Sequence, residues 1–315
     1  MIASRTDVKP RRCTVAPHPE IERARTWRFL RPGSLPLILC TGIGLLPLRV
    51  QAQSDSSPAY LRDRGTGMPT SMFGTYVRRG ELLFYPFLEY YRDHNLEYKP
   101  SDLGYGLSQD FQGRFRASEG LLFFAYGFTD WLSAEMEAAV ITATLYTAAN
   151  DPSGAPARIH ESGLGDVEGQ VRARWVKESE RRPEVFSYFE AVVPHHRDKV
   201  LIGTPDWEFA FGTGVTRGFS WGTLTLRAAA AYSKESGTFD LGEYAVEYLK
   251  RVSPAWRVYL GVEGAQDEVS LITEAQWHIS RSVFLRINNG FGLAPKATDW
   301  SPEVGIVFSL GGTTR

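Results

Sequence analysis

The sequence predicts an all-β fold, an antiparallel transmembrane β-barrel of about twelve strands that follows a cleaved signal peptide. Three observations predict it. Apolar and polar residues alternate along many short segments, large aromatic residues stand at the ends of several segments, and the N-terminal region resembles an export signal. Short strands with alternating faces and aromatic ends are typical of barrels that span the bacterial outer membrane.

The alternation is clearest in two segments, 163–176 and 221–232. In the first, apolar Val171 and Ala173 alternate with Arg172, and the second follows the same rule with leucines, alanines and threonines. Successive side chains of a strand point to opposite faces, so each segment has one apolar and one polar face. A soluble periplasmic β-sandwich would show the same alternation with its apolar faces inward. The export signal and the aromatic strand ends favour the membrane.

Residues 1–52 have the organisation of a signal peptide. They contain nine of the chain's 35 Lys/Arg residues and three of its 36 Asp/Glu residues, so the remainder carries a net charge of about −7. The apolar run 35–48 follows several arginines and is too short for a spanning helix, which needs about 20 residues. We place cleavage after Ala52 and expect export through the Sec pathway. Both cysteines, Cys13 and Cys40, would be removed with this leader, which leaves no thiol chemistry.

Residues 53–80 are polar and rich in Ser, Gly and Pro. This composition favours turns over regular elements. We predict a flexible periplasmic segment before the barrel domain, residues 81–315. The sequence leaves open whether this segment enters the barrel and plugs it.

From Glu81 onward the sequence contains twelve candidate strands, each long enough to cross a bilayer. Several connections after odd-numbered strands are long and those after even-numbered strands are shorter, as in outer-membrane barrels. The segment Trp131–Ala149 is rich in Ala and Glu and would also suit a helix, but its threonines and the short turn before it favour a hairpin strand. The predicted strands are 81–91, 109–127, 131–145, 163–176, 184–194, 207–216, 221–232, 239–251, 256–264, 268–280, 283–293 and 302–310.

The polar faces of these strands predict a charged lumen. Rings of charge in a pore select which solutes pass, whereas a compensated network of salt bridges would fill a narrow barrel. Both interpretations remain open, and the mixed signs predict a dipolar interior. The candidate lumen-lining residues are Arg114, Arg116, Glu135, Glu137, Glu168, Arg172, Arg174, Glu190, Arg227, Glu243, Glu247, Arg257, Glu263, Glu274 and Arg286.

Other functions have weaker sequence support. His195 and His196 lie in a predicted outer loop, but adjacent histidines point apart and no third metal ligand is evident. Two His–Ser neighbours, at 160 and 162 and at 278 and 280 or 282, lie outside any hydrolase motif. We therefore expect no enzyme, no cofactor and no metal, and nothing in the body of the chain suggests nucleic acid as a partner.

Three short stretches resemble a known family. The stretch 163–167 (Gly-Leu-Gly-Asp-Val), the later strand end 189–194 and the turn 125–132 resemble the outer-membrane β-barrel family named for the meta-pathway of phenol degradation. The resemblance covers roughly 110–310, and His195 and His196 depart from it. It implies an outer-membrane channel for hydrophobic or aromatic compounds. It implies no catalytic or binding residues.

These observations predict a channel in the outer membrane for passive uptake of small solutes, with membrane lipid and the solute as its partners. A structural or adhesive barrel with a closed lumen is the first alternative, and a lipid-hydrolysing barrel is the second. We expect Trp131, Trp175, Trp207, Trp221, Trp256 and Trp277 near the membrane interfaces.

Overall fold

The computed structural model describes residues 58–195, 198–204, 206–234, 237–265, 268–294 and 296–312. No helix in this part of the chain is long and apolar enough to span a bilayer. The predicted leader with its two cysteines, the predicted cleavage site and His196 lie outside the described residues.

Twelve antiparallel strands close into one barrel, in which each strand pairs with its neighbours in sequence. The barrel closes where β14 pairs with β3, from Gly311 opposite Glu81 to Trp300 opposite Arg92. A short hairpin, β1 (Met68–Pro69) and β2 (Tyr76–Val77), precedes it. The barrel strands are β3 (Glu81–Tyr98), β4 (Phe111–Gly127), β5 (Leu132–Tyr146), β6 (Arg158–Val176), β7 (Glu184–Val193), β8 (Glu208–Phe219), β9 (Gly222–Ser233), β10 (Thr238–Arg251), β11 (Trp256–Ala265), β12 (Glu268–His278), β13 (Val283–Gly292) and β14 (Trp300–Gly311).

The predicted fold class is confirmed, including the ambiguous segment after Trp131. Residues Leu132–Tyr146 form β5, which pairs with β4 along its length. Propensity alone would allow a helix there, but pairing with strands on both sides supplies partners for the backbone N–H and C=O groups in a setting without water. Connections such as 128–131 and 220–221 are short, whereas 99–110 and 194–207 at the opposite end are longer. The short turns mark the periplasmic end.

The outward face of the barrel is apolar and ends in aromatic residues. Val304, Ile306 and Leu310 of β14 are exposed on it. Five of the predicted interface tryptophans, at 131, 175, 221, 256 and 277, are exposed at the periplasmic end, and Trp300 is exposed at the other end. Aromatic rings at both levels mark the two interfaces of a membrane.

The barrel wall is taller on one side. Strands β3 to β6 contain 15 to 19 residues, whereas β7 and β13 contain 10. About 9–11 residues cross the bilayer, so β3 to β6 extend beyond it. Above the membrane their inner face is apolar: Phe111 and Leu145 are buried together with Leu103 of the connection 99–110. The connection 99–110 therefore folds inward over the mouth.

Residues 58–80 lie inside the barrel at its periplasmic end. A short 3-10 helix, Ala59–Leu61, precedes the β1–β2 hairpin, and Arg64, Met68, Thr75 and Val77 are buried. The sequence left open whether this segment enters the lumen, and the structure answers that it does. Its many Ser, Gly and Pro residues predict flexibility, which stays a prediction, and in the structure Arg64 and Ser71 of this segment contact the barrel wall. We call residues 58–80 the plug.

Candidate functional site in the barrel lumen

The lumen contains a cavity of about 530 Å³ above the plug. Its floor is formed by Ser71, Met72 and Phe73 of the plug, and its wall reaches Ala297 and Thr298 in the outer connection 293–299. Among the described residues, ten glutamates but only two arginines, Arg227 and Arg286, line it. The cavity is therefore strongly acidic.

Ion pairs and hydrogen bonds attach the plug to the periplasmic half of the wall. The Arg64 guanidinium lies 2.7 Å from the Glu178 carboxylate and 2.8 Å from that of Glu184, and all three side chains are buried. Ser71 donates from its backbone N–H and its hydroxyl to Glu135, at 2.7 and 2.6 Å. Because these polar groups are removed from water, each needs its partner. The plug is docked by specific contacts.

Aromatic stacking adds to this attachment. The Phe73 ring lies 5.8 Å from the Tyr259 ring, centroid to centroid, and the Arg227 guanidinium stands over Phe73 at 4.3 Å. The Gln276 amide donates to the Gly74 carbonyl at 3.2 Å. Gly74 has φ +67°, and an added Cβ would lie 3.0 Å from that amide nitrogen. Glycine allows the plug to turn this close to the wall.

The other charges of the periplasmic half are also paired. Arg174 lies 3.2 Å from Glu184, and Arg172 lies 3.4 Å from Glu135. Each of these side chains is at most 3% exposed, a burial that an unpaired charge would not tolerate. Arg286 and Glu274 form a further pair, and both are buried. The Arg286 Nε–H donates to the Glu274 carboxylate at 2.8 Å.

Arg227 stands between the two halves. Its guanidinium lies 3.0 Å from Glu247, 3.1 Å from Glu243 and 3.7 Å from Glu263. Among the described ion pairs of the cavity, Arg227 has the largest number of carboxylate partners. One charge neutralises these three only in part.

The outer half of the cavity carries six glutamates without an ion-pair partner among the residues that the structure describes. Within the described residues, none of the six has a Lys or Arg nitrogen within 4.0 Å of its carboxylate, although Tyr85 and Gln170 donate hydrogen bonds to two of them. Several stand directly opposite one another in the sheet, a repulsive arrangement of like charges. We call this set the acidic wall: Glu89, Glu119, Glu137, Glu168, Glu190 and Glu303.

Strand register creates the acidic wall. Glu89 of β3 pairs with Glu303 of β14 on one side and with Glu119 of β4 on the other, so three carboxylates form one row. Glu137 of β5 pairs with Glu168 of β6 in the same way. Such pairs are retained where water or a ligand surrounds the carboxylates, and the cavity supplies that space.

A second cavity of about 270 Å³ adjoins the acidic wall at Glu119, Glu137 and Glu168. Gly203 and Thr204 of the connection 194–207 form its opposite side. The Asp166 carboxylate accepts hydrogen bonds from the backbone N–H groups of His195 and Thr204. This outer connection is therefore attached to the inner face of the wall.

Thirteen of the fifteen candidate lumen residues lie on the inward side of their strands. Arg257 is one of them, at the periplasmic end, where it shares the inward face of β11 with Tyr259. The inward residues are Glu135, Glu137, Glu168, Arg172, Arg174, Glu190, Arg227, Glu243, Glu247, Arg257, Glu263, Glu274 and Arg286.

The assignment of Arg114 and Arg116 to the lumen is wrong. Both are exposed on the outward face of β4, where they alternate with inward Gly113, Phe115 and Ala117. The rule that charge faces inward holds only within the bilayer. Above it, polar lipid headgroups and water surround the outward face, and Leu103 and Ile202 of two outer connections pack against the inward face, so the polarity of the two faces is exchanged.

Sequence reasoning missed Glu89, Glu119 and Glu303 of the acidic wall. Glu89 was missed because both faces of β3 are apolar near it. Leu83, Tyr85 and Phe87 point inward, so no alternation of apolar and polar residues marked the inward face. A carboxylate that follows a run of apolar residues in a spanning strand was the signal available, since ionisable residues within the membrane usually serve function.

Neither His–Ser neighbour forms a nucleophile and base pair. The His160 ring hydrogen-bonds the Thr144 hydroxyl at 2.9 Å, and the His278 ring stacks on Phe284 at 4.7 Å. Within the described residues, no group of three or more His, Cys, Asp or Glu residues has the geometry of a metal site.

Comparison with known proteins supports the fold. No protein-family model matches the sequence, and no curated protein matches it. Among solved structures, an outer-membrane channel from Pseudomonas putida F1 is similar over 74% of this chain and 96% of its own, with a TM-score of 0.55 and 14% identity.

Two further similarities are weaker. The translocator domain of the autotransporter NalP from Neisseria meningitidis aligns over 73% of this chain and 88% of its own, with a TM-score of 0.46 and 10% identity. The toluene transporter TbuX from Ralstonia pickettii aligns over 75% and 90%, with a TM-score of 0.38 and 9% identity. The closed barrel, its apolar outward face and its aromatic ends identify this chain as a twelve-stranded β-barrel of the bacterial outer membrane.

Proposed function

We propose that this protein is an outer-membrane channel for passive uptake of small solutes, closed at its periplasmic end by its own plug. The observation that carries the proposal is the cavity of about 530 Å³ between the plug and the outer loops. A barrel that served only as a scaffold would fill its interior with side chains, as small barrels do. This barrel instead keeps space beside carboxylates that have no ion-pair partner among the described residues.

The charge of the cavity supports a preference for positively charged solutes. Ten glutamates face two arginines along its wall, and a cleft lined by one sign of charge concentrates ions of the opposite sign. The dipolar interior expected from the sequence does not describe this part of the lumen, because the arginines are gathered in the periplasmic half. Cations should therefore enter more easily than anions of the same size.

The apolar part of the lining supports solutes that also carry an apolar body. Phe73, Phe87, Leu121 and Phe123 line the cavity between the carboxylates. Aromatic rings bind organic cations through their negative faces as well as through apolar contact. Small aromatic or aliphatic amines combine both properties. This refines the hydrophobic or aromatic class that the family resemblance implies.

A closed structural barrel is the second candidate, and one observation favours it. The plug is attached through the buried ion pairs of Arg64 with Glu178 and Glu184. If these contacts never break, no solute passes. Conductance therefore distinguishes the two candidates.

The test is single-channel recording in planar bilayers with the protein from Gln53 onward, compared with its R64Q variant. Arg62 precedes Arg64 in the plug and is exposed, so R62Q is a matched control for loss of one charge. A channel gated by the plug predicts rare openings in wild type and in R62Q, and more frequent openings in R64Q. A barrel that inserts but stays silent in all three proteins would contradict the channel and support the closed alternative.

A further inference from the structure

Four arginines lie on the outward face of β3, β4 and β6, near the outer end of the barrel. Arg92, Arg114, Arg116 and Arg158 are all exposed, and we call them the arginine patch. Arg92 of β3 is directly opposite Arg116 of β4. Tyr146 of β5 stands between Arg114 and Arg158 in the sheet. Strand register therefore fixes four positive charges at neighbouring positions.

Three of the guanidiniums converge on a single ring. Those of Arg114, Arg116 and Arg158 lie 5.3, 5.4 and 6.0 Å from the centroid of the Tyr146 ring. Arg116 also donates a hydrogen bond to the Tyr146 hydroxyl at 2.8 Å. The ring orients the three guanidiniums, but it provides no negative charge to balance them.

No carboxylate balances them either. Within the described residues, no Asp or Glu oxygen lies within 4.0 Å of any guanidinium of the patch. The Asp299 carboxylate, on the neighbouring connection, lies 2.9 Å from His94 Nδ1. The Asp110 carboxylate lies 3.7 Å from Lys99 Nζ. The inward arginines behave differently, since Arg64, Arg172, Arg227 and Arg286 each have a glutamate. Clustered like charges without a counterion repel one another, so the patch is suited to an anion from outside the chain.

The height of the patch indicates which anion it meets. Arg92 is opposite Trp300 in the sheet, and Tyr90, two residues nearer the periplasm on the same face, contacts the Trp300 ring at 6.0 Å. Exposed aromatic rings mark the level of lipid headgroups. The patch therefore begins at the headgroup level of the outer leaflet, on the face that lipid covers. In Gram-negative bacteria this leaflet consists of lipopolysaccharide, whose headgroup carries phosphates.

We propose that the arginine patch binds the phosphate groups of lipopolysaccharide in the outer leaflet. A guanidinium presents a planar fork of N–H donors that matches phosphate oxygens and forms paired charge-assisted hydrogen bonds. Three such forks lie within 6.0 Å of the Tyr146 ring centroid, and Arg92 extends the patch towards Trp300. Bound lipid would neutralise the patch and fix the rotation of the barrel relative to its lipid surroundings.

The experiment measures binding of purified lipopolysaccharide to the detergent-solubilised protein by native mass spectrometry. The variant R114Q/R116Q/R158Q removes three charges from the patch. The variant K177Q/R181Q/R182Q removes three exposed charges from the periplasmic turn and serves as the matched control. Heat-modifiable migration in gels confirms that each variant is folded. Dephosphorylated lipopolysaccharide and inorganic phosphate complete the set of probes.

The proposal predicts that the patch variant binds lipopolysaccharide about 100-fold more weakly than wild type. The control variant should bind as wild type does, and dephosphorylated lipopolysaccharide should bind wild type as weakly as intact lipid binds the patch variant. Equal binding by wild type and the patch variant would overturn the proposal. So would an equal loss in the control variant, because attraction would then depend on total charge. Displacement of the lipid by inorganic phosphate at comparable concentration would show a site for free phosphate instead.

Discussion

Both halves of the lumen contain glutamates, which are buried in ion pairs in the periplasmic half and face open space in the outer half. In the periplasmic half, arginines and glutamates are buried together, and Arg64 of the plug completes the set with Glu178 and Glu184. In the outer half, the acidic wall surrounds open space, and no Lys or Arg of the described residues forms an ion pair with it. Paired charges close a lumen, whereas unpaired charges of one sign need water or a solute beside them. The difference assigns closure to one half and solute selection to the other.

Substitutions that neutralise one charge should therefore lower the free energy of unfolding in the periplasmic half and raise it in the outer half. Loss of one member of a buried pair leaves an uncompensated charge in a site without water. Loss of one member of a facing carboxylate pair removes a repulsion.

Replacement of Arg286 should cause the largest loss of stability. Its guanidinium and the Glu274 carboxylate are both buried, so R286L leaves Glu274 unpaired and should lower the free energy of unfolding by about 3–5 kcal/mol. Urea unfolding from lipid vesicles measures it. Arg79 is exposed at the periplasmic end, and R79Q should change little. The double variant R286L/E274L should recover most of the loss, and no recovery would show that the pair does not act through charge.

Release of the plug should have the next largest effect. R64Q removes both buried ion pairs between the plug and Glu178 and Glu184, which weakens docking by about 3–5 kcal/mol while the barrel strands keep their pairing. We expect faster cleavage by a protease in the connection between Gly65 and Gly80, with the barrel itself intact. Equal cleavage rates in R64Q and R62Q would show that other contacts hold the plug.

Neutralisation in the acidic wall should stabilise the barrel. Glu137 is opposite Glu168, so E137Q should raise the free energy of unfolding by about 0.2–1 kcal/mol. Glu97 is opposite uncharged Gln112, and E97Q should have no comparable effect. The same vesicle-based unfolding measures both. A loss of stability in E137Q would contradict the view that these carboxylates repel one another.

The smallest effect concerns an exposed pair outside the lumen. The backbone N–H of His94, and then its ring, hold the pKa of Asp299 below its usual range. A depressed carboxyl pKa stabilises the folded state above the ordinary Asp value, about 3.9, and this contribution disappears as the pH falls through the lowered value. Proteolysis of the connection 293–299 should therefore rise only in strong acid. D299N should show the acid rate already at neutral pH, and a wild-type rate in D299N would contradict the assignment.

The sequence predicted the barrel strands well because, within the membrane, residues that face lipid alternate with residues that face the lumen. β8 to β13 begin and end within about three residues of their predicted bounds, since a lipid face and a lumen face differ along their whole length. The tall strands β3 and β6 were predicted too short. Their outer ends extend above the bilayer, where the pattern that guided the prediction is exchanged between faces, and this exchange also explains the misplaced Arg114 and Arg116.

The candidate site was predicted only in part. Glu137 and Glu168 could be assigned to the lumen from their own strands, but their position opposite each other depends on the β-bulge between Ala138 and Val140. The contact of Arg64 with Glu178 joins residues 114 positions apart, and no periodic pattern in the plug indicates it. Local sequence therefore specifies which face a residue occupies, whereas charge pairing depends on register and on the fold of a segment without strand pattern.

The reversal potential across a salt gradient tests the central claim most directly. We would record R64Q, which should open, and R64Q/E137Q/E168Q in bilayers with unequal KCl concentrations on the two sides. The account predicts a reversal potential that favours K⁺ over Cl⁻ in R64Q, and a shift towards zero in the triple variant because two carboxylates of the acidic wall are gone. Anion selectivity in R64Q, or the same reversal potential in both proteins, would contradict the assignment of selection to the outer half.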